Sequence, residues 1–296
     1  MRYRFLQKLE GQFALTMLCR VLQVWCSGYY AWRGRKPSQR AQQEARLMEQ
    51  NRSAHHQSES TYGSPRIWRD LKEQATACSL NRVARLMRKH GISAQPVKRF
   101  VVTTDSRHDL PVARNLLGQD FGAEQADTRW SSDITYIWTA EGWLYLSVIL
   151  DLFSRKVVGW AMKPTLERGL VVSALNRACS QRRPQDGALI CHSDRGSQYA
   201  SGDYQALLKQ CGILCWMSRR GNCFDNAPVE SFFGSLKREL VHRYRFATRE
   251  EARVAVFRWI EIWYNRKRRH SALGYVSPEA FERESQQRQQ PQLRAA

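Results

Sequence analysis

Apolar residues in this chain follow helical spacing in some stretches and the two-residue alternation of strands in others. Helical spacing dominates the N-terminal third, where we predict a first helix over residues 13–23, broken by Ser27 and Gly28. A second helix is predicted over residues 39–52, followed by a polar loop over residues 53–63. Ser64 and Pro65 have the capping and first-turn chemistry of a third helix start.

A fourth predicted helix begins near Ser79 and ends at Gly91. Two short helices joined by a turn, the second of them basic, are typical of a helix-turn-helix. The pattern therefore favours DNA contact by this region, although a charge-covered surface helix is the alternative. The basic residues proposed to contact DNA are Arg82, Arg85, Arg88 and Lys89.

Strand-like alternation begins at Arg129 and places Asp133, Thr135 and Ile137 on one face of the first strand, with Tyr136 on the other. Three strands with short connections predict an antiparallel meander. Helices and two further strands follow. The predicted elements are strands over 130–138, 143–150 and 156–162, a helix over 166–180, a strand over 188–192, a helix over 202–211, a strand over 213–217 and a helix from about 226. This α/β order is ribonuclease-H-like.

The composition points to an anionic partner. The 296 residues include 47 Lys and Arg against 27 Asp and Glu, which gives a formal net charge of +20. The basic residues are concentrated in both flanks, and a hydrophobic content of 43% is enough for a buried core. We expect a nucleic-acid-binding protein rather than a merely cationic surface.

Two classes of protein are not expected from the sequence. The longest nearly apolar run, Leu144–Leu150, is far shorter than the ~20 residues of a membrane span. The N-terminus lacks the pattern of a secretory signal. We therefore expect a cytoplasmic location. The eight cysteines show no zinc-site spacing and are interpreted as reduced thiols.

Three acidic residues stand where a metal site needs them. Asp133 lies inside the first strand, Asp194 follows the fourth strand, and Glu230 lies in the first turn of a later helix. Asp194 is 61 positions after Asp133, and Glu230 follows 36 positions later. Carboxylate oxygens are ligands that Mg²⁺ prefers, and two such ions about 4 Å apart support displacement at phosphorus.

Each acid also has a structural interpretation. Asp133 pairs with Arg129 in that alternative, Asp194 pairs with Arg195 or caps a turn, and Glu230 favours a helix N-terminus. Asp151 is the best decoy, since it can close its turn with Arg155. Lys237 lies two helical turns beyond Glu230 on the same helix face, where a cation can hold a DNA backbone; its alternative is a solvated surface residue.

The sequence resembles the transposases of bacterial insertion sequences, in the group made from two overlapping frames whose core is similar to retroviral integrases. The resemblance extends over nearly the whole chain. It rests on the segments Cys19–Leu22, Gly28–Trp32, Tyr62–Arg66, Trp130–Tyr136, Gly142–Leu146, Asp151–Trp160, His192–Tyr199, Asp225–Lys237 and Tyr264–Tyr275.

This resemblance implies an enzyme that cleaves the 3′ ends of its element and performs strand transfer. It implies that Asp133, Asp194 and Glu230 form a DDE triad for Mg²⁺ or Mn²⁺, with two ions, and that Lys237 contacts DNA. The implied partners are terminal inverted repeats, target DNA and further copies of the chain. Rival functions are a nuclease without strand transfer and a non-catalytic DNA-binding regulator.

The resemblance also guides the predicted domain organisation. Neither an upstream heptad-repeat helix nor an integrase-type zinc-binding domain is apparent, so the chain resembles the second-frame product, with the first-frame product as a fusion partner. We divide it into an N-terminal helical segment (1–43), a helix-turn-helix-like DNA-binding region (44–101), a linker (102–121), an integrase-type catalytic core with C-terminal helices (122–285) and a flexible tail (286–296).

Overall fold

The computed structural model describes residues 2–94, 123–185, 187–193, 196–217 and 227–294. The predicted linker 102–121 and the candidate metal ligand Asp194 therefore lie outside the described residues. The chain divides into two compact units, Met1–Ala94 and Gln95–Ala296. Across the described ranges, no helix combines the length and the apolarity needed to cross a membrane.

Unit Met1–Ala94 is helical throughout its described part. Three short helices pack around the buried side chains of Leu6, Leu18 and Tyr29, and three more follow. The helices are α1 (Arg2–Leu9), α2 (Leu15–Val21), α3 (Cys26–Arg33), α4 (Gln39–Gln57), α5 (Ser64–Glu73) and α6 (Leu80–Lys89).

The predicted break at Ser27 and Gly28 is wrong, because both residues lie inside α3. The chain turns earlier, at Gln23, whose backbone adopts a positive φ of 50°. Gly28 serves a different purpose: a Cβ there would lie only 2.5 Å from the hydroxyl oxygen of Tyr3 in α1. The glycine permits close helix packing, which a local pattern cannot reveal.

Helices α4 to α6 form the helix-turn-helix-like region. Helix α4 continues to Gln57, beyond the predicted end at 52, because its buried face extends through Ala54. Helix α5 is capped by Gly63 rather than Ser64. The prediction for α6 is confirmed, since Ser79 Oγ accepts a hydrogen bond from the Arg82 N–H.

The second unit is built on a five-stranded sheet with the order β3-β2-β1-β4-β5. Strands β1 to β3 are antiparallel, whereas β4 pairs parallel with both β1 and β5. This is the predicted ribonuclease-H-like arrangement, with β1 at the centre. The strands are β1 (Arg129–Thr139), β2 (Gly142–Asp151), β3 (Val157–Lys163), β4 (Ile190–Ser193) and β5 (Leu214–Met217).

Both faces of the sheet are covered by helices. Helices α7 (Arg168–Arg182) and α8 (Gly202–Gln210) form one core with Trp130 and Ile149 of the sheet. Helices α9 (Ala227–Leu236) and α10 (Arg249–Phe257) form the other core, with Ile137. The alternation predicted for β1 is confirmed, because its odd-numbered positions face the α9 side.

The C-terminal part is largely helical. Helix α9 continues as a π-helical segment, Lys237–Val241, and α10 continues as another, Arg258–Tyr264. Helix α10 is capped by Thr248, whose Oγ accepts a hydrogen bond from the Glu251 N–H at 3.1 Å. Helix α11 (Pro278–Arg294) follows Ser277, and its backbone remains helical over most of the predicted tail.

Gly159 of β3 provides a test of how tightly the sheet packs on α7. A Cβ at this position would lie against the carbonyl oxygen of Ala174 and 2.7 Å from Cβ of Ala178. We expect Gly159→Ala to destabilise the protein by about 1–3 kcal/mol or more, because the helix must move away. The measurement is the free energy of unfolding from urea denaturation.

The matched control for this prediction is Gly202→Ala at the start of α8. No atom lies within 4 Å of a Cβ built there. The control is expected to change stability by less than about 1 kcal/mol. Equal unfolding free energies for the two variants would contradict close packing at Gly159.

Candidate active site

The first candidate ligand, Asp133, lies on the central strand β1. It is opposite Val148 of β2 in the antiparallel register. Its side chain is half-buried, and one carboxylate oxygen, Oδ1, accepts a 2.7 Å hydrogen bond from the N–H of Ile134. Thr135 and Ile137, on the same face, are buried. The carboxylate is therefore held by a rigid strand next to the α9 core.

The second candidate, Asp194, follows directly after the last residue of β4. Strand β4 lies beside β1, with His192 opposite Ser131 in the parallel register. His192 and Ser193 are both buried. Asp194 itself is outside the described residues, so its role as a ligand stays a prediction.

The third candidate, Glu230, lies in the first turn of α9 and is exposed. Its helix is anchored by Val229, Phe232 and Phe233, which share a core with Ile137 of β1. The burial of these side chains fixes α9 against the strand that carries Asp133. Within the described part of the chain, Glu230 forms no ion pair with a basic residue.

Lys237 connects the same helix to β1 a second time. It is the first residue of the π-helical continuation of α9 and lies two turns beyond Glu230. Its Nζ atom lies 5.3 Å from the ring centroid of Tyr136, a residue of β1 three positions after Asp133. Tyr136 is on the face of β1 opposite to Asp133, so this contact joins the helix to the strand, and the grouping of Asp133, Glu230 and Lys237 stays a prediction.

The donor set fits a hard divalent cation in its chemistry. Asp133 and Glu230 offer carboxylate oxygens at positions that water reaches. No group of three His, Cys, Asp or Glu residues suitable for a metal occurs within the described ranges. A complete three-carboxylate site requires Asp194, which those ranges do not include.

Asp151 has the structural role predicted for a decoy, although with different partners. Its carboxylate accepts hydrogen bonds from the backbone N–H groups of Asp127 and Ser154, each at 2.8 Å, and from the Ser154 hydroxyl. The turn is thus closed through Ser154. Burial raises the pKa of Asp151, with these hydrogen bonds opposing the shift. The contacts with Ser154 close the turn, and the contact with Asp127 ties the end of β2 to the segment that precedes β1.

A buried ion pair at the end of α9 was not predicted from the sequence. Arg268, which the sequence places in a basic run, is buried and donates to both carboxylate oxygens of Glu239. It also donates to Ser235 Oγ at 3.1 Å. Trp263 Nε1 donates to Glu239 Oε2 at 3.2 Å. Arg268 therefore links α9 and its π-helical continuation to the C-terminal segment instead of facing solvent.

The four basic residues of α6 differ in their surroundings. Arg88 and Lys89 are exposed, whereas Arg85 donates to Glu44 of α4 at 2.5 Å. Hydrogen bonding from Arg85 lowers the pKa of Glu44, against the opposing effect of desolvation. Arg82 and Arg85 line an open groove of about 590 Å³ between α4 and α6, together with Arg40, Gln43, Glu44 and Asn81.

Comparisons with known proteins agree with this architecture. Residues 123–223 and 211–278 match two models described as integrase core domains, and residues 42–100 match an HTH-like domain. The fold and its core-domain matches define an enzyme of the integrase class, which transfers polynucleotide strands. The chain belongs to the family of IS3 insertion-sequence transposases.

Membership rests on close relatives. The chain is 43% identical over 285 residues to the transposase InsF for insertion sequence IS3A of Escherichia coli K12, covering 95% of this chain and 98% of the relative. It is 44% identical over 264 residues to an uncharacterized 31 kDa protein of insertion element IS600 from Shigella sonnei, covering 89% and 97%. The transposase interpretation is confirmed over its two rivals.

Solved structures give a more distant likeness. The catalytic core domain of HTLV-2 integrase in complex with magnesium is 17% identical, covering 54% of this chain and 99% of that chain, with a TM-score of 0.43. The simian T-cell lymphotropic virus intasome in complex with the PP2A subunit B56 gamma contains a chain that is also 17% identical, with a TM-score of 0.45, covering 77% of this chain and 73% of that chain.

The buried Glu239–Arg268 pair gives a stability prediction. Arg268→Ala leaves the Glu239 carboxylate buried without its cation, so we expect a loss of about 3–5 kcal/mol in unfolding free energy. The control is Arg266→Ala in the same basic run, where the side chain is 64% exposed and pairs with Glu279 at the surface. It is expected to lose less than about 1 kcal/mol. Urea denaturation measures both, and similar losses would contradict a structural role for Arg268.

Proposed function

We propose that Asp133, Asp194 and Glu230 form the DDE triad of this transposase and hold divalent cations, either Mg²⁺ or Mn²⁺, with two ions at the site. The observation that carries the proposal is the double attachment of α9 to β1, through Ile137 in the core and through Lys237 over Tyr136. Both attachments hold the Glu230 helix to the strand of Asp133. In this proposal Asp194, which directly follows the adjacent strand β4 in the sequence, supplies the third carboxylate.

Each residue contributes a distinct function in this proposal. Bound metal supplies activation of a water or a 3′-hydroxyl and stabilises the leaving oxygen of an in-line displacement at phosphorus. Asp133 holds its oxygens on a rigid strand, and Glu230 brings its carboxylate from a packed helix. Lys237 places a positive charge beside the carboxylates, where it contacts a backbone phosphate. Cleavage and strand transfer then use the same residues with different nucleophiles.

Replacing Asp133 by Asn tests the triad. The variant keeps the size of the side chain and removes its charge, so we expect cleavage of terminal-repeat DNA in Mg²⁺ or Mn²⁺ to fall by roughly 10³-fold or more. Binding to the terminal repeats is expected to stay near the wild-type level, since the phosphate-binding residues are unchanged. Strand cleavage and equilibrium binding are measured in parallel.

The control for this variant is Asp203→Asn in α8, an exposed acid that pairs with Arg168 on the surface. It is expected to cleave as wild type does. Wild-type cleavage by Asp133→Asn would overturn the triad assignment. Strand transfer from a pre-cut end by the wild type is the accompanying test of the full reaction.

We also propose that α6 contacts the DNA backbone through Arg82, Arg85, Arg88 and Lys89. The exposed pair Arg88 and Lys89 supports the proposal most directly, because neither side chain is held by a described acid in an ion pair. Arg85 and Arg82 line the groove beside α4. Glu44 holds Arg85 in place there, which orients its guanidinium for a phosphate.

Salt dependence measures these phosphate contacts. Each neutralised phosphate contributes about 0.9 to the slope of log affinity against log salt, so Arg88→Ala combined with Lys89→Ala is expected to reduce the slope by about 1.8. The matched control is the charge-conserving pair Arg88→Lys and Lys89→Arg, which is expected to keep the slope. An unchanged slope in the double alanine variant would show that α6 does not contact the DNA backbone.

The partners follow from the reaction. The two ends of the insertion sequence must be brought together for the reaction, so we propose that several copies of the chain assemble on the terminal repeats and the target DNA. Fusion to the first-frame product, and a bacterial cytoplasmic site on nucleoid DNA, stay part of this proposal.

A further inference from the structure

Three large aromatic side chains stand exposed on the hairpin formed by β1 and β2. Tyr136 is 55% exposed, Trp138 is 58% exposed and Trp143 is 42% exposed. The antiparallel register pairs Trp138 with Trp143 and Tyr136 with Tyr145, so these side chains share one face of the hairpin. We call Tyr136, Trp138 and Trp143 the hairpin aromatic strip.

The strip is ordered by contacts among its own rings. The ring centroids of Tyr136 and Trp143 are 5.0 Å apart at 82°, and those of Trp138 and Trp143 are 4.7 Å apart at 74°. Such edge-to-face pairs are favourable and fix the rings relative to one another. A contiguous exposed apolar surface of this kind marks an interaction site more often than isolated exposed residues do.

Two cations border the strip. Lys237 Nζ lies 5.3 Å from the Tyr136 ring centroid, and Arg249 Nε donates to the backbone oxygen of Trp143 at 3.1 Å. The nearby acid Glu141 accepts a 2.8 Å hydrogen bond from the Arg249 N–H. The surface therefore combines flat aromatic rings with a lysine at one end and an arginine, beside Glu141, at the other.

We propose that the hairpin aromatic strip stacks unpaired bases of a DNA strand whose phosphates contact Lys237 and Arg249. Aromatic rings flanked by cations are the combination that binds single-stranded nucleic acid, because bases stack on the rings while the backbone follows the charge. The inference rests on the proposed function, since Lys237 belongs to the helix that carries Glu230. The inference adds a surface on which bases that are unpaired next to the cleavage site stack.

A second copy of the chain is a less suitable occupant. In a two-fold interface the same surface faces itself, so Lys237 and Arg249 of one copy would approach those of the other. Like charges brought together in this way oppose association. A polyanion carrying flat bases matches both the charge and the rings.

Single-strand binding tests the proposal without any cleavage. The full chain, free of divalent cations, is titrated with a labelled single-stranded oligonucleotide of mixed sequence and with a duplex of the same length. Tyr136→Ala and Trp138→Ala are each expected to weaken single-strand binding by about 5- to 100-fold. Duplex affinity is expected to change much less, because paired bases are not available for stacking.

Two variants serve as controls. Tyr136→Phe keeps the ring and is expected to bind the single strand as wild type does. Phe257→Ala removes an aromatic residue that is 44% exposed and lies against Trp160 of β3, and it is expected to have no effect. Unchanged single-strand affinity in both alanine variants would overturn the proposal. Sedimentation gives a second test of the same variants. If they lose a self-associated state that the wild type forms, the strip mediates contacts between copies of the chain and the proposal is overturned.

Failure of this inference is distinguishable from failure of the triad. Asp133→Asn, measured in the same titration, is expected to bind the single strand at least as tightly as wild type does, because it keeps the strip and removes a negative charge that no metal compensates. If the triad assignment is wrong, Asp133→Asn cleaves DNA as wild type does, and only the cleavage assay reveals this. If the hairpin aromatic strip does not stack bases, its alanine variants keep the wild-type affinity for the single strand, and only the binding titration reveals this.

Discussion

The burial of one aromatic residue, Phe232, is central to holding helix α9 against the sheet. Its side chain is 2% exposed and meets the rings of Phe233, Trp259 and Tyr264 at centroid distances of 5.5, 5.6 and 4.7 Å. A buried Phe contributes about 1.5–3 kcal/mol, and each aromatic pair adds about 0.5–1.5 kcal/mol. Glu230 precedes Phe232 by two residues, so the position of its carboxylate depends on this packing.

The C-terminal signature shared with transposases has a structural function in this protein. Tyr264 packs on Phe232, and Asn265 exchanges two 3.0 Å hydrogen bonds with the backbone of Val157 in β3. Arg268 holds Glu239 on the continuation of α9. The segment thus joins the edge strand β3 to helix α9 and its continuation. A basic motif of this kind is easily mistaken for a DNA-binding surface.

The periodicity of the sequence predicted the sheet and its helices because each strand or helix has a buried face of its own. It did not predict features that depend on distant partners. The break at Gln23 and the close packing of Gly28 on Tyr3 involve no local pattern. Likewise, Arg182 donates to Asp127 and to Glu282, residues far away in the sequence. For the candidate site, the sequence selected Asp133 and Glu230, but the contact between Lys237 and Tyr136 required the fold.

The excess of basic residues in the chain bears on how its carboxylates are paired. With 47 basic residues against 27 acidic ones, a carboxylate has many available cations. The buried acids Glu239 and Glu282 are indeed paired with Arg268 and Arg182. Among the described residues, Glu230 has no such partner, although its place in the first turn of α9 gives it favourable helix-dipole energy. A carboxylate left without a cation beside the central strand is electrostatically suited to bind a divalent ion.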